Sequence, residues 1–338
     1  MRNNFLKYII FWLITFSFSI GTIELFLKVF SPLILTGGYI GNYVYDKDLG
    51  VRIKKGYWTN TTDYKQEVNV NNYGTVNFEN DFREYKNLIF AIGDSYTQGT
   101  GLPSDSSYPF QLSISLNTLS GSYKKDYAVV NLGLSAYGGE QNLITYKKYK
   151  ENIGTPDFIL YFGCNNDYND DLLFLSKVKH RSLVQNSEYF RKKIIAYDQV
   201  YPYLQFLIHK TEIGKRLNLL RKKVYTKNSS QANLDKKGKS TAELQKRHLD
   251  WLVKESKKND IKLIVGWANL DSDKDNSYTW IKEWAFKNNV GFADWEKLVL
   301  STKESIPNLP IINNHSGGHY RSWVNKLIAR SFFNQIRN

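Results

Sequence analysis

The chain has 338 residues, of which 42% are hydrophobic and 23% are charged, and its single cysteine is Cys164. These values exclude a disordered or low-complexity chain and a disulfide or cysteine-zinc scaffold, and the length allows two domains or one large α/β domain with additions. The 46 Lys and Arg residues against 32 Asp and Glu residues give a charge of +14, which favours anionic partners, although no basic run has the pattern that nucleic-acid binding needs.

An apolar stretch follows the first few residues. Residues 8–27 contain one charge, Glu24, close to their end, and about 20 apolar residues suffice to cross a bilayer as a helix. We therefore expect a cytoplasmic tail at 1–7, a transmembrane anchor at 8–27 and an extracytoplasmic domain beyond it. A cleaved signal peptide is the alternative, because the uncharged run is short and residues 17–21 offer a weak cleavage site.

Residues 28–85 are rich in Gly, Asn, Tyr and Thr. Short alternating stretches such as Gln66–Val70 lie there between turn signals. This composition predicts a small β-rich segment beside the membrane.

Five short apolar runs, separated by helical stretches, come next. Runs of this length that alternate with helices predict βαβ units and a parallel sheet covered on both faces. The sequence between the third and fourth runs contains a basic insertion at about 172–245, to which we assign no chemistry because most charge runs are solvated. The runs are Leu88–Ile92, Ala128–Leu132, Phe158–Phe162, Lys262–Trp267 and Gly291–Ala293.

A serine stands directly after the first run, in Gly93-Asp94-Ser95. Ligands bind at the carboxyl edge of open parallel sheets, and an exposed serine there is a nucleophile if a base reaches it. An Asp-Ser helix cap would explain the same residues without chemistry. The G-x-S-x-G elbow of α/β-hydrolases does not fit, because Thr97 replaces its second glycine.

Three later segments complete a pattern. They are Asn131–Gly138 after the second run, Gly163–Asp167 after the third, and His319 ten residues before Ala329. Together with Gly93-Asp94-Ser95, residues 86–338 resemble the SGNH/GDSL hydrolase family, in its membrane-anchored bacterial form. The resemblance implies a flavodoxin-like three-layer α/β/α fold with a central parallel sheet.

The resemblance also implies a set of site residues, with no cofactor and no metal. Ser95 would be the nucleophile and His319 its base. The oxyanion of the tetrahedral intermediate would receive hydrogen bonds from the backbone N–H of Ser95, the backbone N–H of Ala136 and the side-chain amide of Asn166. Ala136 stands where the family has glycine, and Asn165 is the alternative to Asn166.

One departure concerns the group that orients the base. The family has an aspartate three residues before its histidine, whereas this chain has Ser316. The site is then a Ser-His pair with an atypical third member, and its loss of rate depends on what replaces that carboxylate. His315 is the alternative base, but it does not lie ten residues before the alanine of the C-terminal helix, as the family's histidine does. A metal pair of His315 and His319 lacks a third ligand of suitable spacing.

The sequence therefore predicts a membrane-anchored serine esterase or O-acyltransferase outside the cytoplasm, in a bacterial envelope. Its substrates would be acyl esters, acetyl esters in the first place, of a cell-surface polysaccharide. A transferase would need a multi-span membrane acyltransferase as partner, because one helix cannot carry an acyl donor across a bilayer. A lipolytic esterase and a non-catalytic glycan-binding or assembly module remain as alternatives, and no nucleic-acid partner is expected.

Overall fold

The structure is a computed structural model, and it describes most of the chain outside the basic insertion. Of the predicted insertion at 172–245, most lies outside the described residues. Its first residues, 172–177, belong instead to a helix that follows the third strand of the main sheet. The described residues are 2–32, 43–46, 48–60, 66–118, 124–177, 211–217, 220, 238–270, 275–313 and 318–337.

Helix α1, Arg2–Phe30, contains the sequence-predicted anchor. Its span Phe5–Phe30 is the one stretch among the described residues that is long and apolar enough to cross a membrane. A signal sequence at the N-terminus would have the same composition. The helix is therefore weak support for a single-pass anchor and says nothing of the compartment.

Two small antiparallel sheets follow. Strand β1, Tyr43–Asp46, pairs with β2, Gly50–Ile53, and β3, Gly56–Asn60, pairs with β4, Gln66–Val70. Their apolar side chains form a separate small core with Leu134 and Tyr137. These sheets therefore support the loop that follows the second strand of the main sheet.

The main sheet has five parallel strands in the order β6-β5-β7-β8-β9. Its central strands are apolar on both faces, because helices cover both sides of the sheet. All five apolar runs of the sequence form strands, so the predicted parallel sheet is confirmed. The strands are β5 Asn87–Gly93, β6 Tyr127–Asn131, β7 Phe158–Gly163, β8 Lys262–Trp267 and β9 Gly291–Phe292.

Helices form a layer on each face of this sheet. On one face Tyr108 packs against Phe162 of β7 and Phe332, and on the other Tyr146 packs against Phe90 of β5 and Trp251. The helices are α2 Ser95–Gln98, α3 Tyr108–Asn117, α4 Gly139–Ile153, α5 Asp167–Lys177, α6 Thr241–Leu244, α7 Lys246–Asn259, α8 Ser277–Lys287, α9 Glu296–Ser305 and α10 Ser322–Arg337.

The predicted three-layer α/β/α class is thus confirmed by the topology. Numbered within the sheet, the strand order is 2-1-3-4-5, which is the flavodoxin-like doubly wound order. In such sheets the connections leave β5 and its neighbours in opposite directions, which opens a crevice at their carboxyl ends. Ser95 follows β5 at this position.

Candidate active site

The turn from β5 into α2 places Ser95 at the carboxyl edge of the sheet. Asp94 caps α2, since its Oδ1 accepts a hydrogen bond of 2.9 Å from the backbone N–H of Tyr96. Gly93 has no room for a side chain, because an added Cβ would lie 2.5 Å from the carbonyl oxygen of Phe162. Tight packing between β5, β7 and α2 therefore fixes the position of the serine.

The structure brings His319 to Ser95 from the far end of the chain. His319 Nε2 and Ser95 Oγ are 2.7 Å apart, although the residues are separated by 224 positions. The same hydroxyl lies 2.9 Å from Oδ2 of the buried Asp94. A hydroxyl has one proton, so it can donate to the carboxylate or to the imidazole, but not to both at once.

Backbone and aromatic contacts hold His319 in place. Tyr320 forms a β-bridge with Ile312, and the carbonyl oxygen of His319 accepts a 2.8 Å hydrogen bond from the backbone N–H of Asn313. The ring of Tyr96 lies 5.0 Å from the imidazole and 5.1 Å from the ring of Tyr320, centroid to centroid. The imidazole is therefore packed against Tyr96, whose ring in turn packs against Tyr320.

Ser316, which stands where the family has aspartate, lies outside the described residues, as does the alternative base His315.

The loop after β6 carries Ala136, the residue in the family's glycine position. Ala136 has φ of 63°, the left-handed conformation that glycine adopts most easily. The loop is held against α2 because Gln98 Oε1 accepts hydrogen bonds of 2.7 Å from both the backbone N–H and the hydroxyl of Ser135. An added Cβ on Gly133 would lie 2.5 Å from the backbone nitrogen of Gln98.

The loop after β7 distinguishes the two asparagines. Asn166 Nδ2 donates to Asp94 Oδ2 at 3.3 Å and to Asp170 Oδ2 at 2.7 Å. Asn165 instead uses its Oδ1 to accept a 2.7 Å hydrogen bond from Trp267 Nε1. The amide of Asn166 and the hydroxyl of Ser95 thus share one acceptor oxygen, which places Asn166 beside the nucleophile.

A buried cluster that the sequence analysis did not identify lies below these groups. Cys164 Sγ is 3.0 Å from Asp94 Oδ2 and 3.0 Å from Asp167 Oδ1. Burial raises the pKa of the Cys164 thiol well above its ordinary value, and burial beside Asp94 raises the pKa of the Asp167 carboxyl. Both raised pKa values favour the protonated forms, the Cys164 thiol and the Asp167 carboxylic acid, which can donate hydrogen bonds.

Donor atoms of Asp94, Cys164 and Asp167 lie within 4.8 Å of one another, the arrangement closest to a metal-binding set in the described part of the chain. A metal needs the thiolate, whereas the environment of Cys164 favours the thiol. The cluster fits a hydrogen-bonded support for Asp94 better than a metal site. Asp94 could be found from the sequence because it lies in the motif Gly93-Asp94-Ser95. Its contact with Cys164 could not, because no sequence spacing relates the two residues.

A second buried cluster ties α4, α5 and α7 together behind the site. Asp171 Oδ1 accepts a 2.8 Å hydrogen bond from the backbone N–H of Glu140, and Asp171 Oδ2 accepts one of 2.9 Å from Gln245 Nε2. Burial raises the pKa of Asp171 to about 6 and lowers the pKa of His248, which lies 3.1 Å from Glu140. Ionisable groups thus connect the Ala136 loop with the helix that follows Asn166.

Neither a protein-family model nor a curated protein sequence matches the chain. Similar solved structures include a protein assigned to the lipolytic G-D-S-L family from Desulfitobacterium hafniense DCB-2, at 13% identity and a TM-score of 0.40 over 73% of this chain and 98% of that one. A lipolytic G-D-S-L-family protein from Veillonella parvula DSM 2008 shows 12% identity and a TM-score of 0.38 over 74% and 98%. A GDSL-like lipase candidate from Parabacteroides merdae ATCC 43184 shows 12% identity and a TM-score of 0.39, over 75% of this chain and 96% of that one.

Proposed function

We propose that this chain is a serine ester hydrolase or O-acyltransferase of the SGNH/GDSL type. The observation that carries the proposal is the 2.7 Å separation of His319 Nε2 from Ser95 Oγ at the carboxyl edge of the sheet. A helix cap alone would explain Asp94 but not an imidazole in contact with the hydroxyl of Ser95.

The geometry supports a two-step acyl transfer. Ser95 Oγ attacks the carbonyl carbon of the ester while its proton passes to His319 Nε2. The bond between the carbonyl carbon and the alcohol oxygen then breaks, and His319 returns the proton to the leaving alcohol. Water or a sugar hydroxyl next gives its proton to His319 and attacks the acyl carbon. The bond between that carbon and Ser95 Oγ then breaks, and His319 returns the proton to Ser95, which releases the acid or the new ester.

The developing oxyanion would be stabilised by the backbone N–H groups of Ser95 and Ala136 and by the amide of Asn166. Support for Asn166 comes from its position beside the nucleophile, since its amide and the hydroxyl of Ser95 share Asp94 Oδ2. The amide would donate to the oxyanion by releasing its second hydrogen bond, to Asp170. Support for Ala136 comes from its left-handed backbone, which meets the conformational demand of a position where the family has glycine.

We place this activity at the outer side of a bacterial membrane, with α1 as the anchor. The substrates proposed are acyl esters, acetyl esters in particular, of a cell-surface polysaccharide. The charge of +14 is suited to an acidic glycan or to anionic lipid. Transfer rather than hydrolysis would require a multi-span partner that supplies the acyl donor.

Assays of the purified full-length chain in detergent test the function. We expect hydrolysis of a small aryl acetate and release of acetate from an O-acetylated acidic polysaccharide, both lost in Ser95→Ala. Ser115→Ala, which removes an exposed hydroxyl on α3, should behave as wild type. A folded Ser95→Ala protein with full activity would exclude Ser95 as nucleophile. Activity confined to phospholipid would favour the lipolytic alternative.

The anchor is tested by the mass of the mature protein isolated from membranes. An intact N-terminus is expected, apart from removal of Met1. A chain that begins near residue 20 would show a cleaved signal instead.

A further inference from the structure

One face of α1 is covered near its C-terminal end. From Phe5 to Phe30 every residue of this helix is exposed except Glu24 and Leu27, which are half-buried. These two residues are three positions apart and therefore lie on the same side of the helix. Glu24 is also the one charged residue between Lys7 and Lys28. The carboxylate thus has a specific neighbour within the chain.

That neighbour is a short part of the basic insertion, residues 211–217, which we call the docking segment. The Glu24 carboxylate accepts hydrogen bonds from the backbone N–H of Glu212, at 2.5 Å, and of Ile213, at 3.0 Å. Arg216 donates to the hydroxyl of Ser31 at 3.0 Å. The docking segment therefore contacts α1 and the residue that follows it.

The contact provides hydrogen-bond partners both for the Glu24 carboxylate and for backbone N–H groups of the docking segment. Residues 212–217 are helical, and the first N–H groups of a helix lack partners within it. The hydroxyl of Thr211 accepts the N–H of Gly214 at 3.0 Å, and Glu24 accepts the two N–H groups before it. Glu24 lies six residues before Phe30, or about 9 Å along the helix, and thus near the end of the proposed anchor.

The outer surface of this region has the composition of a membrane-contact element. Leu217 and Leu220 are each 60% exposed, and the sequence continues as Arg221-Lys222-Lys223. Exposed apolar side chains beside basic residues are typical of segments that lie in the plane of an anionic bilayer surface. Leu217 belongs to the docking segment, which contacts the end of the proposed anchor.

We propose that the docking segment and Leu220 form a second membrane contact, with Leu217 and Leu220 at the acyl boundary of a bilayer whose anionic head groups attract this basic chain. The contact with Glu24 would fix the insertion to the anchor and hold the catalytic domain at a set height above the bilayer. This inference rests on the anchor part of the proposed function and is independent of its catalytic part.

Photocrosslinking of the full-length chain in vesicles tests the proposal. A benzoylphenylalanine replaces Leu217 or, as a matched control, Phe286 of α8, which is 88% exposed. The vesicles contain phosphatidylcholine alone or mixed with phosphatidylglycerol, and flotation measures membrane association. We expect a phospholipid adduct at 217 that exceeds the adduct at 286 several-fold and that increases with the anionic lipid.

The variant Glu24→Leu tests the role of the carboxylate. It makes α1 more apolar, so flotation should persist, while the lipid adduct at 217 should fall several-fold. Equal adducts at 217 and 286 on floated protein, or an adduct at 217 to a second polypeptide, would overturn the proposal. Loss of flotation in the wild type would overturn the anchor as well, whereas aryl acetate hydrolysis in detergent reports separately on catalysis.

Discussion

Asp94 and His319 compete for the single proton of the Ser95 hydroxyl. Asp94 Oδ2 also receives the Asn166 amide at 3.3 Å and lies 3.0 Å from the Cys164 thiol. When the serine turns its proton towards the imidazole, Asp94 still accepts hydrogen bonds from the Asn166 amide and from the backbone N–H of Tyr96, so the carboxylate is not left unpaired. We infer that the Asn166 amide and the N–H of Tyr96 support the reactive state of the serine by keeping Asp94 hydrogen-bonded.

The two asparagines give a matched pair of variants. Asn166→Ala should lower kcat on a small aryl acetate by about 100-fold or more, the effect typical of one lost oxyanion donor. Asn165→Ala breaks the contact with Trp267 and should change kcat clearly less, at some cost in stability. Thermal unfolding of both variants separates the two effects. The reverse ranking would assign the oxyanion donor to Asn165.

Tyr96 is expected to position the base. Its ring lies 5.0 Å from the imidazole of His319, and such aromatic pairs contribute roughly 0.5–1.5 kcal/mol. Tyr96→Leu should therefore lower kcat about 3- to 10-fold with little change in KM, and Tyr96→Phe should retain the wild-type kcat. Steady-state kinetics on a small ester measure both constants. If Phe is as impaired as Leu, the hydroxyl rather than the ring has the role.

At the scale of elements, much of the fold could be predicted because each of the five strands is a distinct apolar run. The sequence also singles out Ser95, Asn166 and His319, since each lies in a motif at the end of a strand or before a helix, and their catalytic roles stay predictions. The contacts between motifs could not be predicted. The 2.7 Å approach of His319 to Ser95 and the Tyr96 contact depend on tertiary packing between β5 and the C-terminal region, which no local pattern encodes.

Asp171 links α4, α5 and α7 and should make stability depend on pH. Its pKa is raised from 3.8 to about 6 in the folded chain, so its protonated form is favoured by folding. The resulting stabilisation is fully present below about pH 4 and is lost as the pH rises through 6, at roughly 1.4 kcal/mol per pKa unit or about 3 kcal/mol in all.

Denaturant unfolding between pH 4 and pH 7 measures this effect. The unfolding free energy of wild type minus that of Asp171→Asn should fall by about 2 kcal/mol over this range, most of the full effect. His248, whose pKa is lowered, adds an opposite slope, and the charge of Asp171 acts on that pKa. Both proteins are therefore compared in a His248→Gln background. Asp260→Asn, at an exposed helix end, is the control. A difference that stays constant with pH would contradict the interpretation.

At the scale of the whole molecule, three parts of the chain have different tasks in the proposed function. Helix α1 exposes apolar residues over its length, the docking segment contacts Glu24 near its end, and the parallel sheet carries Ser95 at its carboxyl edge. The small sheets β1–β4 share a core with the loop of Ala136. This order along the chain is suited to an esterase held close to a membrane.

The central claim is that His319 activates Ser95 as a nucleophile. Labelling of the full-length chain with a fluorophosphonate, followed by peptide mass spectrometry, tests it most directly because the reagent modifies activated serines covalently. We predict one adduct, on Ser95, that is absent in Ser95→Ala, unchanged in Ser115→Ala and formed at least 100-fold more slowly in His319→Ala. An unlabelled Ser95 in the folded wild type, or labelling at the same rate in His319→Ala, would contradict it.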